Sequence, residues 1–297
     1  MRKISRRTFL KQSLAGGTAF SISAGRLFGY DLSSQKTAKI GQVVLGKSGV
    51  KVSRLAFGTG TRGWKFKSDQ TDLGDKGFID LALHAIDSGI TFIDMADIYG
   101  SHGNIKQLLQ HIPREKLVIM SKIWTQANDW LTPQSPSETF DRFRKEAGTD
   151  YFDIILVHCQ TSPDWINEQK ELRDFLSQAK EKGMIRAHGV SCHSLDALKT
   201  AATSDWVDIV LTRINNVGNR MDDAPEKVMP VIKSAHDNGK GIIGMKIFGC
   251  GELVSDEQRE SSLQYVWKSN NVDAMTIGYI NKTQIDDTIA RVNRILG

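Results

Sequence analysis

From Leu55 onward, short apolar runs alternate with segments whose apolar residues recur at helical spacing, and the alternation repeats eight times. No other feature limits the fold so strongly. A parallel strand connection needs a crossover of a dozen or more residues, and a helix supplies it. The expected strand and helix pairs are 55–58 with 77–88, 91–96 with 104–111, 116–122 with a helix opening at Ser135-Pro136-Ser137-Glu138, and 152–158 with 168–182. The second half gives 185–190 with 195–203, 207–214 with 226–238, 241–247 with 256–268, and 273–280 with 282–296. Punctuation agrees with the pattern: Ser194 suits an N-cap, Pro136 a first helical turn, and Gly89, Gly183 and Gly239 helix ends. Eight units in about 240 residues predict a single (β/α)8 TIM barrel, since a doubly wound sheet needs fewer strands. Ahead of it, residues 40–52 alternate apolar and polar around Gly46 and Gly49, which predicts a β-hairpin capping the barrel floor.

The first 35 residues differ in kind and are expected to be a signal peptide and linker, with the barrel domain spanning 36–297. Ser5-Arg6-Arg7-Thr8-Phe9-Leu10-Lys11 is a twin-arginine pattern, followed by an uncharged, modestly apolar stretch from Gln12 to Gly25. A basic segment and a short apolar one read as an export leader, to be recognised by the twin-arginine translocase. The plainer reading is a solvated basic tail. Ile22-Ser23-Ala24 is a weak cleavage site, so the expected destination is the periplasm, or the membrane with an uncut leader as anchor. The leader also accounts for the charge: it carries Arg2, Lys3, Arg6, Arg7 and Lys11, and without those five the 39 basic residues fall to 34, equal to the 34 acidic ones. No basic stripe remains to suggest nucleic-acid binding. The three cysteines Cys159, Cys192 and Cys250 lack C-x-x-C spacing, so no metal or iron–sulfur site is expected.

Polar residues close several strands. Thr91-Phe92-Ile93-Asp94 is an apolar run ending in a carboxylate, with Tyr99-Gly100 five residues on; Lys122 ends the next strand and His158 the one after. Barrels keep their chemistry at the C-terminal ends of the strands. The pattern Asp94-x-Ala96-x-x-Tyr99-Gly100, followed by Lys122 and His158 in that order, resembles the catalytic signature of the aldo-keto reductase family. That resemblance covers about residues 40–297 and implies reduction of an aldehyde or ketone with NADP(H) or NAD(H). It makes Tyr99 the general acid, Lys122 and Asp94 its support, and His158 the donor orienting the carbonyl. An ammonium beside a phenol is expected to lower its pKa from about 10.

The same resemblance implies cofactor contacts. Gly58, Thr59 and Gly60 match a glycine-rich turn that lets backbone approach the ribose. Ser191 and Cys192 stand where a Ser-Asn pair clamps the carboxamide, with Leu211 in place of the usual Gln and Ile214 of a Tyr. Met245, followed by Lys246, replaces a stacking aromatic. At the adenine end, Gly278, Gln284 and Asp287 stand where family members place phosphate- and adenine-reading side chains, while Lys282 or Arg291 is placed to compensate. Trp64 and Trp124 are expected to line an apolar substrate pocket with His158, with Trp130 nearby. Arg213 is expected either to face the interior or to pair with Asp208. The loop at 248–255 is short, and no tail follows the last helix. The expected partners are a small carbonyl compound and the translocase, and the expected state is monomeric. The competing reading is a nicotinamide-binding barrel of little or no activity, acting as a sensor or partner protein. Hydrolysis by paired carboxylates finds no support in the sequence.

Overall fold

The computed structural model describes residues 40–296, so the leader lies outside the described residues. A two-stranded antiparallel hairpin comes first, β1 (Gln42–Val44) and β2 (Lys51–Ser53), with Val43 opposite Val52. Eight strands then close a barrel in chain order: β3 (Leu55–Gly58), β4 (Phe92–Asp94), β5 (Val118–Ile123), β6 (Ile154–Gln160), β7 (Ala187–Cys192), β8 (Ile209–Arg213), β9 (Gly241–Met245) and β10 (Ala274–Gly278). Every neighbouring pair is parallel, and β10 closes on β3 through Met275 opposite Leu55. The outer layer holds α1 (Gly74–Asp87), α2 (His102–Leu108), α3 (Pro136–Ala147), α4 (Trp165–Glu168), α5 (Lys170–Glu181), α6 (Leu195–Thr203), α7 (Pro225–Asp237), α8 (Asp256–Lys268) and α9 (Lys282–Leu296).

The expected (β/α)8 barrel with its hairpin cap is the fold observed. Leu45, Val50 and Val52 of the hairpin join Ala56, Phe92, Met120, Leu156, Leu211 and Ile243 in the cluster filling the barrel interior. Gly46 is where the hairpin meets the floor: its φ is +48°, and a Cβ there would fall 2.4 Å from the Gly239 carbonyl oxygen. A larger apolar cluster fills the space between barrel and helices. Helix starts follow local chemistry. Ser135 and Glu138 form a capping box at α3, and Ser194 accepts from the Ala197 amide at α6.

Four strands, β5 to β8, begin two residues later than expected. Just ahead of β6, Asp153 ties three elements together: its backbone N–H donates to the Ile119 carbonyl and its carbonyl accepts from the Ala187 amide, both at 3.0 Å. Its carboxylate accepts from Arg114 (2.8 Å), Arg186 (2.9 Å) and the Ile119 amide (2.8 Å). The helix expected at 168–182 is α5, and a separate short helix, α4, precedes it across Gln169. The shift at β6 leaves His158 inside its strand, and the ladder becomes irregular between Val157 and Gln160. Cys159 takes a φ of +57° there, a conformation that a side chain seldom adopts without support from its neighbours.

Candidate active site

Asp94, Lys122, Tyr99 and His158 converge at the C-terminal mouth. Lys122 is 1% exposed, and its ammonium donates to Asp94 Oδ1 and to the Met95 carbonyl (2.7 Å). Thr276 on β10 donates to the other carboxylate oxygen of Asp94 at 2.8 Å. The Lys122 Nζ lies 4.9 Å from the centre of the Tyr99 ring, and that ring meets His158 edge to face at 5.7 Å. Tyr99 ends a one-turn 3-10 helix, Asp97–Tyr99, joined to β4 by Met95, whose amide donates to the Met120 carbonyl at 2.9 Å, and Ala96. Arg142 on α3 braces the turn through Asp97 at 2.7 Å.

The turn after β3 gives the tyrosine its room. A Cβ on Gly60 would fall 2.1 Å from Tyr99 Cε2, and one on Gly63 2.4 Å from Cδ1. These glycines are therefore required by the Tyr99 ring itself, before any approach of a cofactor is considered. Thr59 is fully buried instead of facing open space. Its hydroxyl donates to the Asp94 carbonyl at 2.9 Å.

Electrostatics depart from the sequence expectation. Burial raises the Tyr99 pKa above its ordinary value, and the Asp94 charge adds to the rise. Burial lowers the Lys122 pKa, against the pull of Asp94. The ammonium does not acidify the phenol here because Asp94 already neutralises it and both groups are out of water. His158 is held well below the usual imidazole value by burial first, then by Lys122, His193 and Lys246. Tyr99 is thus a phenol and His158 a neutral ring at neutral pH.

Beside these four runs a cleft of about 410 Å³. Gly58, Gly60, Asp94, Tyr99, Met245 and Lys246 line one end, and Gly278, Gln284, Asp287 and Thr288 the other. Of the expected cofactor contacts, Thr59, Ser191 and Cys192 do not line it. Cys192 is a correction: its sulfur packs in the cluster between barrel and helices. Successive strand residues alternate faces, so Ser191 is the one turned inward, in register with Leu211. The Ser191 hydroxyl is buried and has no hydrogen-bond partner among the described residues. Leu211 lies in the interior core and Ile214 in the outer one.

At the far end, Arg291 is drawn into Asp256 (2.8 Å), Asp287 (2.9 Å) and Glu260 (3.4 Å) instead of the cleft. Lys282 does not line the cleft; its charge is felt at Asp80. Three cations do line it: Lys246, Arg62, which pairs with Asp69 at 2.9 Å, and Arg259, between Asp256 at 2.7 Å and Asp287 at 3.8 Å. Sequence reading missed Arg259 because helix α8 gave no sign of which face meets the mouth. A polar residue inside the otherwise apolar run of β10 was the available sign for Thr276.

The aromatic residues stack into one wall. Phe66 meets Trp130 at 5.5 Å, Trp130 meets Trp64 at 4.8 Å, Trp64 meets Trp124 at 5.5 Å, and Trp124 meets His158 at 5.3 Å. Trp64 and Phe66 stand 46% and 42% exposed at the rim. Across the mouth, Arg213 pairs with Asp222 at 3.0 Å and contacts His193, whose ring is 6.4 Å from that of His158. The alternative of an Arg213–Asp208 pair is corrected: Asp208 is held by Lys180 at 2.5 Å.

A tyrosine, a buried lysine–aspartate pair and a neutral histidine thus meet beside a cleft at the mouth of a closed eight-stranded barrel. The chain belongs to the aldo/keto reductase family, whose family model matches residues 54–295. It is 26% identical over 221 residues to the NADH-specific methylglyoxal reductase of Escherichia coli K12, covering 67% of this chain and 64% of that protein, just under two thirds of its length. It is 27% identical over 207 residues to methylglyoxal reductase DkgB of Salmonella typhi, covering 68% and 70%. Among solved structures, a putative aldo-keto reductase from Pseudomonas aeruginosa superposes with a TM-score of 0.72 at 26% identity, covering 86% of this chain and 95% of that one.

Proposed function

We propose that the protein reduces an aldehyde or ketone to an alcohol with a nicotinamide cofactor. The observation that carries this reading is the convergence of Tyr99, His158 and the Asp94–Lys122 pair beside one end of the elongated cleft. The residues present fit such a cofactor: Met245, Lys246, Gly278, Arg259 and Asp287 line the cleft and would hold it, and the Ser191 hydroxyl, buried behind that lining without a partner among the described residues, is the polar group left over for a carboxamide. When bound, the cofactor supplies a hydride to the carbonyl carbon. His158 orients the carbonyl oxygen by donating a hydrogen bond from its neutral ring. Tyr99 gives its phenolic proton to that oxygen as negative charge gathers there. Lys122 then stabilises the phenolate left behind, and Asp94 and Thr276 keep the ammonium in place. The high pKa of Tyr99 keeps the proton available at neutral pH.

Fluorescence titration with NADPH and NADH, followed by a panel of carbonyl compounds, tests the reading. Cofactor binding with no turnover of any carbonyl would favour a sensor. The reduced clamp, with Cys192 turned away and Leu211 apolar, is the observation on that side.

Cofactor preference follows from the adenine end of the cleft. Arg259 lines it with Asp256 and Asp287 at its sides, and Arg62 lines it paired with Asp69, so carboxylates beside each guanidinium repel a 2′-phosphate. A charge-assisted bond contributes about 1.5–3 kcal/mol before such repulsion is counted. The expected result is NADPH favoured over NADH by at most about tenfold, or about 1.4 kcal/mol, in titrated Kd values. A ratio above about a hundredfold would assign Arg259 to the phosphate and sink the argument from its carboxylate neighbours.

The leader supports a proposal of export through the twin-arginine route, to the periplasm or to an anchored state at the membrane. Replacing Arg6 and Arg7 together by Lys is expected to strand the protein in the cytoplasm on fractionation. An unchanged exported pool would rule the route out.

A further inference from the structure

A second cavity, of about 560 Å³, meets the Tyr99 turn from another side: Asp97 and Gly100 line it, Tyr99 lines the cleft, and the two share no lining residue. A chain of polar contacts that the proposed chemistry does not use runs along its wall. It starts at Ser121, the residue before Lys122, whose hydroxyl lies 2.8 Å from His102 Nε2. His102 Nδ1 faces Glu146 Oε2 at 3.2 Å, and since a carboxylate only accepts, that nitrogen carries a proton. Glu146 also accepts from Arg142 Nη1 at 3.2 Å, one turn back on α3. Arg142 gives its Nη2 to Asp97 Oδ1 at 2.7 Å and its Nε to Gln134 at 3.2 Å. Asp97 opens the 3-10 turn that Tyr99 ends. The chain therefore joins the strand carrying Lys122 to the turn carrying Tyr99 by way of the outer helices α2 and α3.

Building on the carbonyl-reduction reading, we propose that Arg142 is a positioning residue for that reaction: by holding Asp97 it fixes where Tyr99 presents its hydroxyl. Neither Arg142 nor Asp97 lines the cleft, so both act through the turn. Gly60 and Gly63 confine the Tyr99 ring, but the backbone that delivers it is a single 3-10 turn, too short to hold a position unaided. Its C-terminal side is tied down, since Ser101 Oγ lies 2.8 Å from Thr59 Oγ1. Arg142 and Asp97 are the tie at the other end. Asp97 is only 3% exposed, and a buried carboxylate that loses its guanidinium is an uncompensated charge. The cavity beside it is the space into which the turn would shift to bring that charge to water, and Tyr99 lies two residues on. A displacement of about 1 Å in a reacting group costs on the order of 10²-fold in rate.

The test measures kcat, KM and cofactor Kd in the full-length protein, with NADPH and benzaldehyde or the best compound of the carbonyl panel. Arg142→Met is expected to lower kcat by at least about tenfold while KM and cofactor Kd change by no more than about twofold. A merely structural loss would move all three. Added to Asp97→Ala, which removes the same tie from its other end, Arg142→Met is expected to cost less than about a further twofold in kcat. Arg142→Lys keeps a cation on α3 and is expected to recover part of the loss. Melting temperature and cofactor quenching check that each variant is folded, and Arg142→Lys with Asp97→Ala carries the same comparison should Arg142→Met not fold. Losses in kcat that add across the two positions, or an Arg142→Met kcat within about twofold of wild type, would overturn the assignment. Wild-type protein that binds NADPH yet reduces no compound of the panel would overturn the carbonyl-reduction reading and this proposal together, an outcome distinct from turnover with additive losses.

Discussion

Tyr99→Phe is expected to abolish carbonyl reduction while leaving cofactor affinity nearly unchanged. The ring sits in a slot shaped by Gly60 and Gly63, edge to face with His158, and a phenylalanine fills that slot equally well. Only the hydroxyl is lost, and with it the proton donor. General acid catalysis alone contributes about 10²–10⁴-fold, which sets the least loss in kcat to expect. No nearby group replaces the donor: His158 is neutral with its pKa well below the ordinary value, and the Lys122 ammonium is committed to Asp94 and the Met95 carbonyl. Steady-state kinetics together with cofactor quenching decide the matter. A variant keeping more than about a tenth of the wild-type kcat would remove Tyr99 from the role.

The second large effect concerns the pair behind the tyrosine. Lys122→Met should cost both activity and stability, for different reasons. Activity falls because the phenolate left after proton transfer loses its neighbouring charge. Stability falls because Asp94, only 6% exposed, is left without its ammonium partner, with Thr276 as the remaining side-chain donor to its carboxylate among the described residues. Breaking a buried pair by removing one member costs about 3–5 kcal/mol, whereas removing both together can be close to neutral. Chemical denaturation should therefore show a large loss for Lys122→Met and a partial return in the double variant Lys122→Met with Asp94→Leu, while kcat stays low in both. If the single variant unfolds within about 1 kcal/mol of wild type, the pair is better solvated than its burial implies.

The buried pair also explains why the phenol's acidity was misjudged from sequence. Proximity of Lys122 was legible, since both residues sit at strand ends in a barrel. The sign of the pKa shift was not, because it depends on how much water reaches the ring and on whether the ammonium is already neutralised. Those are properties of the assembled mouth.

The same division runs through the molecule. The eight strand–helix units, the hairpin and the caps at Ser135 and Ser194 were readable because each rests on residues within a few positions of one another. Asp94, Tyr99, Lys122 and His158 were readable for a related reason: a barrel brings every strand end to one rim, so position along each strand suffices. What faces what around that rim was decided only by folding. The pairing of β7 with β8 set Ser191 opposite Leu211 of the interior cluster and left Cys192 in the outer one, since strand side chains alternate. Arg213 took Asp222 over Asp208, His193 came beside His158, and Arg259 reached the cleft while Arg291 was drawn into carboxylates. These pairings join residues from separate elements, and a local stretch of sequence carries no energy term that prefers one distant partner to another. Only closure of the barrel, which sets strand register and the burial of each charge, makes that choice.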